Sequence, residues 1–200
     1  MKLLVLDNYD SFTYNLVQYI QEILGHAIDV RRNDAISLDA VEEYDVIVLS
    51  PGPGLPADAG IMPALLKRYA PTKSILGVCL GHQAIGEAFG ASLSNLAHVY
   101  HGVATPIQQT GNDGGFFAEL DPVFEAGRYH SWVVKKDTLP TDLIITAEDE
   151  QGEIMAMRHR EYAVYGVQFH PESVMTPGGK RMLRNFLALC AARIPEAVAG

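Results

Sequence analysis

The chain has 200 residues, 48% of them hydrophobic, with 15 basic and 24 acidic side chains and a formal charge of −9. That length and apolar content suit one good-sized core in a single compact domain. No basic block stands out beyond pairs such as Arg31–Arg32 and Lys135–Lys136, which argues against nucleic acid and anionic membrane as partners.

The opening MKLLVLDNYD has only four apolar residues in a row before Asp7. That run is too short for a signal-peptide core or a membrane span, so a cytoplasmic protein is expected. Short β-rich runs then alternate with helical patterns. KLLVLD precedes SFTYNLVQYIQEILG, IDVRR precedes SLDAVEEY, DVIVLS precedes GIMPALLKRYA, and SILGVC precedes LGHQAIGEAFG. This alternation predicts βαβ units, a parallel sheet with helices on both faces. In the first helix Phe12, Leu16, Tyr19, Ile20 and Ile23 recur at the three/four spacing, and Asp10 or Ser11 is placed to cap its start.

From about residue 91 the texture changes to ASLSNL, ATPIQQT, RYHSWVVK, DLIITAEDE, EIMAMRH and AVYGVQFH. Polar and apolar residues alternate here, which predicts an antiparallel extension in the C-terminal half. A last helix is expected in MTPGGKRMLRNFLALCAARI, with Thr176 as N-cap and Pro177 at its first position. The terminal PEAVAG is expected to fray.

The two cysteines, Cys79 and Cys190, form no CxxC pair, so neither a disulfide framework nor a metal site is indicated. Cys190 lies in an apolar helical run and reads as a packed side chain. Cys79, in GVCLGHQ, follows a strand and precedes a helix, pinned between glycines. Such an elbow holds a nucleophile on a strained turn, at a helix start whose free N–H groups favour negative charge. A buried structural cysteine is the alternative on this segment alone.

A nucleophilic cysteine needs a base. His26, His98 and His159 read as surface or turn residues, His82 as a packed helical one, and His101 and His130 stay open. In GVQFHPES, residues 166 to 173, His170 and Glu172 fall two apart in chain that Pro171 keeps extended, so both side chains point the same way. The carboxylate is placed to orient the imidazole, the third group that a Cys–His pair requires. SPGPG, residues 50 to 54, follows the strand DVIVL and offers backbone N–H groups to a substrate oxygen.

With SPGPG, GVCLGHQ and GVQFHPES in that order, the sequence resembles the class I glutamine amidotransferases over essentially its whole length. LDNYDSFTYNLVQYI and RYHSWVV narrow the resemblance to the small subunits of anthranilate synthase and aminodeoxychorismate synthase. The resemblance implies a flavodoxin-like α/β core, with one glutaminase domain over residues 1 to 192 and a frayed tail from 193. It also implies Cys79 as nucleophile, His170 as base and acid, and Glu172 as the residue that orients the imidazole. Glutamine would bind through Gly52, Pro53 and Gly54, through Gln83, and through Ser131 and Trp132, with the Leu80 amide and one from the Gly52–Gly54 loop as oxyanion hole. The implied partner is a larger chorismate-binding subunit that uses the ammonia and carries magnesium; no cofactor is implied on this chain. A stand-alone cysteine hydrolase and a non-catalytic module are the competing readings. Two positions depart from the usual pattern: Val103 stands where lysine is common, and Trp132 where leucine is more usual.

Overall fold

The computed structural model describes residues 1 to 194; the fraying expected of PEAVAG lies outside the described residues. In chain order the first half contains β1 (Leu3–Asp7), α1 (Thr13–Leu24), β2 (Asp29–Arg32), β3 (Val46–Leu49), α2 (Met62–Tyr69), β4 (Ser74–Val78) and α3 (Leu80–Ala88). The second half contains β5 (Leu93–Asn95), β6 (Val103–Gln109), β7 (Val123–Arg128), β8 (Trp132–Val134), β9 (Leu143–Glu148), β10 (Ile154–His159), β11 (Val164–Val167) and α4 (Gly179–Ala191).

Nine strands form one sheet in the order β2-β1-β3-β4-β11-β10-β9-β6-β7, and β5 pairs with β8 in a separate two-stranded sheet. The first five run parallel, in the 2-1-3-4-5 order of flavodoxin-like folds. The remaining four pair antiparallel, so the expected extension continues the same sheet. The central parallel strands β1, β3 and β4 are buried throughout and almost wholly apolar because both faces are covered, whereas the edge strand β2, DVRR, is polar and partly exposed. Leu3, Val5, Val46 and Val48 pack with Leu16 and Ile20 of α1 and Phe186 of α4. Their neighbours Leu4, Leu6, Ile47 and Leu49 pack on the other face with Met62 and Leu66 of α2 and Ile85 of α3.

Several local expectations need correction. SLDAVEEY yields only a 3₁₀ turn, Asp39–Glu43. RYHSWVVK is not one strand: β7 ends at Arg128 and β8 begins at Trp132, so residues 129 to 131 carry the chain from one sheet to the other. Asp10 does not cap α1. Its carboxylate accepts the Phe12 amide at 2.7 Å one residue early, and the helix starts at Thr13 with no side-chain cap. Thr176 does not cap α4, which starts at Gly179. The Thr176 hydroxyl instead accepts the Gly127 N–H at 2.9 Å and donates to the His170 carbonyl at 2.7 Å. His159, expected at the surface, is buried and stacked on Tyr162 at 4.1 Å.

Candidate active site

Cys79 sits between β4 and α3 with φ 52° and ψ −98°. A non-glycine residue costs roughly 1–3 kcal/mol in such a conformation and keeps it only where its surroundings impose it. Here the Cys79 N–H donates to the Val167 carbonyl at 2.8 Å, and its own carbonyl accepts the Gln83 N–H at 3.0 Å. The glycines of the motif are steric necessities. A Cβ on Gly77 would lie 2.4 Å from the Gly81 carbonyl, and one on Gly81 would lie 2.7 Å from the Leu49 carbonyl oxygen. The sulfur therefore stands at the first turn of α3, beside amides that have no carbonyl one turn back to bond.

His170 and Glu172 follow β11. The imidazole Nδ1 meets Glu172 Oε1 at 2.7 Å, and both side chains are buried. Phe12 and Tyr129 pack edge-on against the ring, with centroids at 5.3 and 4.9 Å. His170 Nε2 is buried without a conventional hydrogen-bond partner. Burial disfavours a charged ring, but the Cys79 sulfur and then the Glu172 carboxylate outweigh it and hold the His170 pKa well above the usual histidine value. His170 is tied down from behind: its N–H donates to the Gly127 carbonyl at 3.0 Å, on the far edge strand of the sheet. The antiparallel half thus curls back to clasp the loop that carries the imidazole.

A cleft of about 320 Å³ opens at Cys79, lined by Gly52, Pro53 and Gly54, by Gln83, and by Ser131 and Trp132. Gly52 must lack a side chain because a Cβ there would lie 2.6 Å from Asn8 Cβ and 2.7 Å from Leu80 Cδ2. Leu80 does not line this cleft. Its side chain faces a neighbouring cavity behind the glycine loop, shared with Asn8, Tyr9 and Pro53, while its amide belongs to the first turn of α3. His170 and Glu172 likewise lie outside the cleft lining.

Three residues enter the site that sequence reasoning did not select. Tyr129 and His130 line the cleft. Gln168 is fully buried, donates its side-chain amide to the Cys79 sulfur at 3.6 Å, and accepts from Gln83 Nε2 at 3.3 Å. The one signal for Gln168 is its polar amide inside GVQFHPES, between buried Val167 and Phe169. Of the two histidines left open, His130 lines the cleft and His101 is exposed; His82, read as packed, is fully buried and pushed down to about 4 by burial against a smaller opposing pull from the Gly166 backbone. Cys190 is a buried core residue of α4 whose thiol burial pushes up to about 12.

The family model for glutamine amidotransferase class-I matches residues 4–190. The chain belongs to the class-I glutamine amidotransferases. It is 48% identical to the aminodeoxychorismate/anthranilate synthase component 2 of Bacillus subtilis over 92% of this chain and 95% of the relative. It is 49% identical to the anthranilate synthase component 2 of Thermus thermophilus over 94% of this chain and 92% of the relative. The crystal structure of a glutamine amidotransferase from Thermotoga maritima superposes with a TM-score of 0.77 at 16% identity, covering 95% of this chain and 97% of that one, a likeness of fold alone. As an amidotransferase of this class the chain is an enzyme, and the α/β architecture read from its alternating runs is that of the family. No helix among the described residues is long and apolar enough to cross a membrane.

Proposed function

We propose that this chain is the glutaminase subunit of a chorismate-using synthase, one domain over residues 1 to 192 acting in the cytoplasm. The observation that carries the reading is the meeting of three separate segments around Cys79: the cysteine itself on a strained helix-start turn, a buried imidazole–carboxylate pair whose ring interacts with its sulfur, and a glycine loop that lines the small cleft at the cysteine. At about 320 Å³ the cleft is at the small end of ligand pockets, roughly 300–1,000 Å³, which favours a free amino acid over a peptide and so speaks against a stand-alone peptidase.

In the proposed reaction His170 takes the proton of Cys79, and the sulfur attacks the side-chain amide carbon of L-glutamine. The carbonyl oxygen becomes an anion held by the Leu80 N–H and one N–H of the Gly52–Gly54 loop. As the C–N bond breaks, His170 returns the proton to the departing ammonia, and Glu172 keeps the ring in the orientation both transfers need. Water then cleaves the γ-glutamyl thioester and releases glutamate. Ammonia passes to the larger subunit, where it joins the chorismate-derived acceptor. Magnesium belongs to that subunit in this proposal, and no step here uses one.

An apolar rim supports a partner at this face. Val174 is 89% exposed, its neighbour Met175 contacts Tyr129 of the cleft, and exposed Val103 pairs with Arg128 at the start of β6. Anthranilate formation, in tryptophan biosynthesis, is the favoured product. Aminodeoxychorismate formation, for folate, is the second reading, because a relative of near-equal identity bears both names. The test is glutamate release from glutamine by the purified chain, alone and with each chorismate-binding subunit of its organism. Stimulation by one subunit, with its product, assigns the pathway; no release with any of them overturns the reading. Cys79→Ser is expected to abolish glutamine-dependent product while synthesis from added ammonia continues.

A further inference from the structure

Arg128 ends β7 with no exposed surface, in an ion pair whose carboxylate is equally buried. Its Nη1 donates to Asp149 Oδ2 at 2.8 Å, its Nε donates to His130 Nε2 at 3.1 Å, and its guanidinium lies 3.5 Å from the Tyr100 ring centroid. Asp149 is itself fastened in the β9–β10 turn, where its Oδ1 accepts the amides of Gln151 and Glu153. Burying such a pair is costly, and apolar residues of similar volume are often as stabilising. Stability alone is therefore a poor reason for it. What the pair supplies is direction.

Arginine only donates, so the His130 nitrogen that faces it must be the acceptor, and the ring proton sits on Nδ1. Nδ1 lies 3.0 Å from the Trp132 carbonyl oxygen. The same carbonyl accepts Gln83 Nε2 at 2.9 Å. Two donors from different elements therefore clamp one carbonyl in the Ser131–Trp132 wall of the cleft. We propose that Arg128, anchored by Asp149, is a positioning residue for the glutamine site: through His130 it sets the tautomer that holds the Trp132 carbonyl and fixes the wall against which substrate binds.

The ring stays in that tautomer across ordinary pH. Burial first, and then the Arg128 charge, push His130 down to about 3, with further small contributions from His82 on α3 and His170 after β11. Tyr100 stacks on the ring with centroids 5.5 Å apart.

This inference rests on the glutaminase reading, so the test keeps the two apart. Glutamine KM and kcat are measured for the full chain with its chorismate-binding partner. The variants are Arg128→Met combined with Asp149→Leu, which leaves no lone buried charge, and His130→Leu and His130→Asn. The double variant and His130→Leu are expected to raise KM about tenfold with little change in kcat, the pattern of lost substrate binding. His130→Asn, whose side-chain N–H replaces the Nδ1 donor, is expected to recover most of the loss seen in His130→Leu. A KM unchanged in both the double variant and His130→Leu overturns the proposal, as does an asparagine variant no better than leucine. Should the double variant not fold, the two His130 variants decide alone. Absence of glutamate release by the wild-type complex would instead overturn the glutaminase reading.

Discussion

His170 Nδ1 lies 2.7 Å from Glu172 Oε1, with both side chains out of contact with water. The pair makes a pH-dependent contribution whose sign follows from the raised His170 pKa. A histidine whose native pKa exceeds its unfolded value holds its proton more tightly when folded, so its contribution is complete below the ordinary 6.5 and is lost as pH rises through the raised value. The stability gap between wild type and Glu172→Gln is expected to be largest below about pH 6.5 and to narrow in alkali. Denaturant titrations at several pH values measure it, and a gap that widens toward alkaline pH would contradict the assignment. In activity, Glu172→Ala is expected to cost roughly a hundredfold less than His170→Ala, because orientation is lost while the base remains.

The elbow predicts a contrast between two glycines. Gly77→Ala places a Cβ 2.4 Å from backbone of Gly81, with no flexible side chain to yield, and a loss of about 3 kcal/mol or more is expected from overpacking. Gly25 caps α1 at φ 75° with open space around it, so Gly25→Ala bears only the left-handed backbone penalty, about 1–2 kcal/mol. Urea unfolding of the two variants tests the order, and equal losses would mean that the strand-to-helix contact relaxes more easily than its geometry implies.

These glycines also mark where the sequence was readable. β1, β3 and β4 are unbroken apolar runs because helices cover both faces, and a run of that kind is visible in any single sequence. Cys79, His170 and Glu172 stand out because each belongs to a short local pattern. β7 was missed because it is an edge strand, VFEAGR, that carries Glu125 and a glycine. Gly127 is there because a Cβ would lie 3.0 Å from Met175 and Ser173, contacts from a distant segment that no local pattern encodes. Gln168 and Arg128 were overlooked for the same reason: their partners Cys79 and Asp149 come from other segments. Thr176 looked like a cap because Thr-Pro often starts a helix, yet its hydroxyl is engaged elsewhere.

Buried histidines predict sensitivity to acid. His82 is held near 4 and His130 near 3, chiefly by burial. A lowered native pKa means that the unfolded chain takes up a proton that the native ring refuses, so stability falls as pH drops below about 6.5 until the native pKa is reached. Each group contributes roughly 1.4 kcal/mol per pH unit inside that window. His82→Leu is expected to remove its share of the slope between about pH 6 and 4.5. An unchanged slope would place the acid sensitivity elsewhere.

Thr176 offers the sharpest separation of structure from chemistry. Its hydroxyl bridges the Gly127 amide on the edge strand and the His170 carbonyl in the loop after β11. Thr176→Val keeps the shape but leaves the buried Gly127 N–H unpaired and takes one of two donors from the His170 carbonyl, which keeps the Ser173 N–H at 3.1 Å, at a cost of about 1–3 kcal/mol. Because one of those groups is the backbone of the proposed base, glutamine-dependent kcat is expected to fall with stability, while Thr176→Ser restores both. Retention of full kcat by a destabilised Thr176→Val would show that the clasp serves folding alone, and that the Gly127–His170 hydrogen bond by itself is enough to hold the imidazole against Cys79.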